Sequence, residues 1–171
     1  MTTALPPSSP TLLIVFHSRT GGAQQMAQAA QAGAQQEAGV SVRLLPAQQA
    51  QPEDVLAAHG YLFACPENLA SMSGQMKEFF DRCYYPVLGQ VAARPYASLI
   101  CAGSDGSGAA RQMARIATGW RLRAVAEPLI VCTHAQTPEA IAAPKHLAPA
   151  ELAACRDLGQ ALAAGLALGI F

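Results

Sequence analysis

LLIVFHSRTGGAQQMAQAA, Leu12 to Ala30, is the stretch whose reading decides the fold. Leu12, Leu13, Ile14, Val15 and Phe16 form an unbroken apolar run. It is too short for a helix and lacks the alternation of a half-exposed strand, so it predicts a strand covered on both faces. The run stops on His17, Ser18, Arg19, Thr20, Gly21 and Gly22 and restarts as an Ala- and Gln-rich helix. A strand that turns sharply into a helix aims the free N–H groups and the positive dipole end of the first turn at one point, which favours an anion such as a phosphate. Gly21 and Gly22 let the backbone approach closely, and the Ser18 and Thr20 hydroxyls add donors. Thr20 as a simple N-cap, with the glycines as a tight turn, is the alternative for this stretch taken alone.

Outward from this stretch, strands and helices alternate. The helix predicted over Ala23 to Ala38 ends at Gly39, a C-cap residue. Val40 to Leu45 predicts a second strand ended by Pro46, Glu53 to Ala58 one helical turn, and Gly60 to Cys65 a third buried strand. The loop PENLASMSG, Pro66 to Gly74, feeds the helix QMKEFFDRCYY. Ser73 is placed to cap that helix, Met76, Phe79, Phe80 and Cys83 form its apolar stripe, and Pro86 stops it. Tyr96 to Ala102 is a fourth strand, which GSDGSG, Gly103 to Gly108, turns into a helix over Ala109 to Thr118. Leu122 to Cys132 supplies a fifth, with Pro128 marking an edge or a bulge. A loop with Pro138, Pro144 and Pro149 precedes a last helix from Ala150 to about Leu168.

This alternation predicts a parallel sheet with helices on both faces. The loops rich in Gly, Ser, Asp and Asn follow strands one, three and four. In a doubly wound sheet of order 2-1-3-4-5, strands one and three flank the switch point where ligands bind, so one ligand can touch all three loops.

Composition narrows the classes. The 171 residues fit one domain over 11–171, with MTTALPPSSP, residues 1–10, as a flexible leader. Eleven basic and eleven acidic residues give zero formal charge, which argues against nucleic acid or an anionic membrane as partner. The apolar tail ALAAGLALGIF is too short for a membrane span. Cys65, Cys83, Cys101, Cys132 and Cys155 have no C-x-x-C pair and no metal-ligand spacing, so they read as reduced packing residues of a cytoplasmic protein, with no metal expected.

The three loops together resemble those of the flavodoxin-like FMN proteins, and within them the NAD(P)H-dependent FMN reductase and NAD(P)H:quinone oxidoreductase branch. HSRTGG is similar to that family's phosphate loop, PENLASMSGQMKEFFDR to its second loop and following helix, and AGSDGSGAA to its third. The resemblance covers roughly Leu12 to Val131. It implies an α/β flavodoxin-like three-layer sandwich with a five-stranded parallel sheet of order 2-1-3-4-5.

It also implies that Ser18, Thr20, Gly21, Gly22 and Ala23 surround an FMN phosphate. Pro66, Glu67, Asn68 and Leu69 would line the isoalloxazine ring, with Met72, Ser73 and Gly74 closing that loop, and Gly103, Ser104, Asp105, Gly106 and Gly108 would wrap its other side. The implied activity is transfer of reducing equivalents from NAD(P)H to a quinone or similar flat acceptor by a ping-pong mechanism. The flavin carries the chemistry and no side chain acts as a catalytic nucleophile. A homodimer or homotetramer is the implied assembly, with the loop from Thr133 to Pro149 as a place for subunit contact. The alternative function is a flavodoxin-like FMN-binding electron carrier without NAD(P)H activity of its own.

This chain departs from the family pattern at Ala23, where many relatives carry a second hydroxyl residue, and in a third loop without Tyr or Trp. The first removes a hydrogen bond worth about 0.5–1.5 kcal/mol. The second leaves a flavin face uncovered for a nicotinamide or flat substrate, and with the neutral charge it argues against the electron carrier. His17 either helps to hold the phosphate or is a turn residue. Arg111 and Arg115, four apart on one helix face, either receive the extra phosphate of NADPH or are solvated. Tyr84, Tyr85 and Trp120 are interface or core. The phosphate loop lacks the Gly-Lys-Ser/Thr ending of a Walker sequence, and the order of glycines in GSDGSG is not that of a dinucleotide fingerprint.

Overall fold

The computed structural model describes residues 9–171, so residues 1–8 of the expected leader lie outside the described residues. Pro10 is already tied down, its carbonyl accepting the Ser41 N–H at 2.8 Å. The sheet is built from β1 (Thr11–Phe16), β2 (Ser41–Pro46), β3 (Gly60–Asn68) and a two-residue β4 (Ser71–Met72). It continues with β5 (Pro95–Ala102), β6 (Arg123–Ala124) and β7 (Leu129–Cys132). The helices are α1 (Gly22–Ala34), α2 (Pro52–Ala57), α3 (Gly74–Val87), α4 (Ser107–Gly119), α5 (Pro138–Ala142) and α6 (Pro149–Ala167).

The parallel strands run in the spatial order β2, β1, β3, β5 and then β6 with β7, the five sheet positions and order expected from the sequence. The expected fifth strand is split: β6 and β7 both pair with β5, and the stretch carrying Pro128 separates them because proline cannot donate to the ladder. β3 runs three residues past Cys65 and folds back as a hairpin on β4, the only antiparallel pairing among the described residues.

Leu12, Leu13, Ile14 and Val15 are fully buried because both sheet faces are covered. Leu13 and Val15 face a core with Phe63, Phe79, Phe80 and Trp120 from the α2, α3 and α4 side. Leu12 and Ile14 face a second core with Met26, Ala30, Leu162 and Ala163 from α1 and α6. Burying each such aliphatic side chain contributes about 1.5–3 kcal/mol, so this one strand anchors both layers. α1 and α6 pack closely because Gly159 stands against the Ala30 carbonyl, where a Cβ would lie 2.0 Å from the oxygen.

Helix limits differ from the sequence expectation in two informative places. α1 ends at Ala34 rather than Ala38. α3 includes Pro86 in its last turn, where it is tolerated because the helix ends one residue later.

Candidate functional site

A cleft opens at the carboxyl ends of β1, β3 and β5, lined by Ser18, Arg19, Thr20, Gly22 and Ala23 from the first loop, with Pro66, Glu67 and Asn68 from the second. Cys101, Ala102 and Gly103 close it from the end of β5, leaving a cavity of about 90 Å³. This is the switch point of the sheet, where the strand order reverses.

The first loop is built as an anion cradle. Gly21 is the N-cap of α1 at φ 90°, a left-handed conformation suited to glycine, and no side chain caps the helix. The Ser18 hydroxyl accepts the Gly21 N–H at 3.1 Å, which folds the turn. No acidic residue stands in the first turn of α1, so its dipole faces the cleft without an internal counter-charge. A Cβ on Gly22 would lie 2.4 Å from Cys101 Sγ, so this glycine seats α1 against β5. The donor set, the positive helix end and the Pro66, Ala102 and Ile141 walls suit an FMN, whose phosphate is anionic and whose ring is flat and apolar.

The second and third loops are locked to each other. The Glu67 carboxylate accepts the Gly106 N–H at 2.9 Å and the Ala109 N–H at 3.0 Å, capping α4 from across the cleft. Gln112 Oε1 accepts the Met72 N–H at 2.8 Å and the Ser71 hydroxyl at 2.6 Å. Leu69 and Ala70 turn the hairpin at φ 51° and 58°, a strained conformation for residues with a side chain, and Leu69 is fully exposed at the tip. Gly108 meets the Ala70 carbonyl so closely that a Cβ there would come within 2.1 Å of the oxygen.

Of the expected flavin residues, Ser18, Thr20, Gly22, Ala23, Pro66, Glu67, Asn68 and Gly103 line the cleft. Gly21 shapes its rim. Ser104 and Asp105 are exposed, with Asp105 accepting from the Ser107 hydroxyl at 2.7 Å; those bonds hold its carboxyl below the usual range. Gly106 packs on Ile130 and Ala102, and Gly108 on the hairpin, so these glycines serve contacts within the chain. Met72 is buried, while Ser73 and Gly74 line a separate pocket with His17, Arg19, Asn68 and Gln75. The Ser73 hydroxyl does not cap α3, although Ser73 is its N-cap residue.

The sequence did not point to the fourth wall. Thr133, Ala135, Ile141 and Lys145, from the loop expected to meet another subunit, line this chain's own cleft. The Lys145 N–H donates to the Thr20 carbonyl at 2.7 Å, and Gln25 clasps the strap through the Lys145 carbonyl at 2.7 Å and the Leu147 N–H at 3.3 Å. Lys145 Nζ caps α5 through the carbonyls of Ala140, Ile141 and Ala143. The available signal was position alone: the loop follows β7 at the carboxyl edge of the sheet.

All five cysteines are free, and burial pushes the Cys65 thiol up to about 12 and the Cys101 thiol up to about 11, so both are packing residues rather than nucleophiles. Trp120 is core, Tyr85 is 80% exposed, and Arg111 and Arg115 lie on the exposed face of α4. No helix among the described residues is long and apolar enough to cross a membrane.

The fold and the cleft define a flavodoxin-like α/β protein. An archaeal flavodoxin superposes with a TM-score of 0.75 at 16% identity, over 91% of this chain and 98% of its own. A WrbA-like flavodoxin from Agrobacterium tumefaciens gives 0.70, also at 16%, over 92% and 98%. Within that fold, the chain belongs to the NADPH-dependent FMN reductase family, whose model matches residues 46–136, more than half of it. The matched segment holds the second and third loops and leaves out the first, His17 to Gly22. A flavodoxin from Aquifex aeolicus is 35% identical over 57% of this chain and 50% of its own length. An NAD(P)H dehydrogenase (quinone) from Acidithiobacillus ferrooxidans is 32% identical over 42% and 46%. The chain thus spans about half the length of the curated relatives it matches.

Proposed function

We propose that the protein is an FMN-dependent oxidoreductase that passes reducing equivalents from NAD(P)H to a quinone or similar flat acceptor, the two substrates alternating at one open face of the cleft. The observation that carries this is the convergence of the uncapped α1 N-terminus with Arg19 and Lys145 on the cleft at the sheet's switch point. Among the described residues the only carboxylate lining that cleft, Glu67, is already engaged with α4.

In this reading Ser18, Thr20, Gly21, Gly22 and Ala23 hold the phosphate, mainly through backbone N–H groups and the Thr20 hydroxyl. The Arg19 and Lys145 cations lower the cost of gathering negative charge there. Pro66, Asn68 and Leu69 flank one edge of the ring and Gly103 the other, with Ser104 and Asp105 exposed beside it. Bound FMN would supply the two-electron chemistry. Glu67 contributes rigidity, because its two bonds fix the spacing between the second and third loops. Met72, Ser73 and Gly74 fix the far end of the hairpin. The third loop has no aromatic ring, so the face stays accessible to a flat partner.

The test is an anaerobic visible spectrum of the FMN-reconstituted protein before and after NADPH and NADH. Bleaching by a nucleotide, reversed by a quinone, is the expected result, and steady-state double-reciprocal plots should then be parallel. FMN that binds but is bleached by neither nucleotide identifies an electron carrier, and failure to bind FMN overturns both.

A further inference from the structure

α3 is a 14-residue helix whose N-terminus opens on a pocket lined by His17, Arg19, Asn68, Ser73, Gly74 and Gln75. Three features point to a ligand. First, no acidic residue stands in its first turn and no side chain caps it, so the N–H groups and positive pole of the helix are uncompensated from within its own sequence. Second, Ser73 is 1% exposed and its Oγ has no hydrogen-bond partner, and His17 is 7% exposed with Nδ1 equally unpartnered. Among the described residues one other buried side-chain polar atom, Arg82 Nε, shares this state, so two of the three belong to residues that line this one pocket. A buried polar group left without a partner costs about 1–3 kcal/mol, and a protein that keeps two of them in one place has a use for them. Third, Arg19 lies at the pocket and, among the described residues, no carboxylate lines it. Gln75 is held there by Gln48, whose Nε2 donates to Gln75 Oε1 at 2.6 Å.

Arg19 and Asn68 line both this pocket and the flavin cleft, so the two spaces share a wall. We propose that the pocket is a second oxyanion subsite, in which Ser73, His17, Arg19 and the first amides of α3 bind a phosphate or carboxylate group of a molecule that reaches the cleft. The ligand's role rests on the cleft holding FMN as proposed above; binding of the oxyanion does not. Burial first and the neighbouring Arg19 cation second hold the His17 pKa below its ordinary value, against an opposing side-chain contact with Gln75. Its imidazole therefore acts at neutral pH as a hydrogen-bonding group, with Arg19 supplying the charge.

The experiment is a titration of the FMN-reconstituted protein with inorganic phosphate, followed by amide NMR. The expected result is saturable shifts at Gly74 and Gln75, with affinity falling at least about tenfold in Ser73→Ala and in His17→Gln, each of which removes a bond to a charged ligand. Shifts confined to residues 20–24, or none at Gly74 and Gln75 up to tens of millimolar, overturn the subsite. Steady-state kinetics then identify the source of the oxyanion. A KM for NADPH that rises about tenfold in both variants, with the KM for an uncharged quinone unchanged, assigns it to the nucleotide. A rise only for an acidic acceptor assigns it to that substrate, and no change in either KM overturns the link to the cleft. If neither nucleotide bleaches the flavin while phosphate still shifts Gly74 and Gln75, the proposed reductase activity fails and the subsite stands.

Discussion

α1 and α4 begin alike and end up in opposite electrostatic states. Each is a 13-residue helix whose N-cap is a left-handed glycine, Gly21 at φ 90°, ψ −12° and Gly106 at φ 84°, ψ −13°. Each follows a buried strand through a polar, glycine-bearing turn, and neither has an acid in its first turn or a cap from its own N-cap residue. At α4 the Glu67 carboxylate arrives from β3 and takes two of the free N–H groups. At α1 the turn receives one neutral internal acceptor, the Ser18 hydroxyl. Two helix starts of the same local geometry are therefore one open end and one internal joint. The difference comes from a side chain about forty residues away in sequence.

The comparison can be broken most directly at the joint. Glu67→Ala leaves the Gly106 and Ala109 N–H groups without their acceptor and should destabilise the protein by about 2–3 kcal/mol, read as a lowered urea midpoint with unchanged slope. FMN affinity should fall as well, because the second and third loops lose their tie. A stability loss below about 0.5 kcal/mol would show that water replaces the carboxylate and that α4 is as open as α1.

A smaller effect is expected where α1 meets β5. Gly22→Ala places a methyl 2.4 Å from Cys101 Sγ and should cost about 1–3 kcal/mol by overpacking. Cys101→Ala in the same chain should recover most of that loss, since the clash is with the sulfur. Equal losses in the single and double variants would mean that backbone strain, not the thiol, sets the requirement for glycine.

The smallest change converts one helix start towards the other. Gln24 is exposed in the first turn of α1, and Gln24→Glu supplies there the negative charge that Glu67 gives α4. The FMN-free protein should gain about 0.3–1 kcal/mol, and FMN affinity should fall several-fold, more at low salt than at high salt. Unchanged affinity at low salt would remove the phosphate from this end of the cleft.

Much of the fold was legible because its signals are local. The run Leu12 to Val15 can only be a strand buried on both faces, and the order of strands and helices leaves few topologies open. Pro128 marked an edge or a bulge in the fifth strand, and the structure breaks that strand into β6 and β7 around it. The open start of α1 was legible for the same reason, since the helix start and its donors lie within a few residues. Less could be read where function depends on side chains meeting across the sheet. Ser73 has the identity and position of a cap, yet its hydroxyl makes no bond to the helix amides, and His17 Nδ1 is left unpartnered at the same pocket. Nothing local in the strap from β7 to α6 shows that it also forms a wall of this chain's own cleft, where the Lys145 N–H bonds the Thr20 carbonyl.

The sequence by itself determined the strand and helix order, the sheet with two covered faces and the anion-favouring start of α1, because each follows from periodicity, turn chemistry and hydrogen bonding within a short window. Tertiary structure alone decided that Glu67 closes α4, that Gln25 and Thr20 hold the strap over the cleft, and that Ser73 and His17 share one pocket. Those residues lie tens to more than a hundred positions apart along the chain, and only the packed sheet brings Glu67 onto the α4 amides, Gln25 and Thr20 onto the strap, and Ser73 and His17 to one pocket.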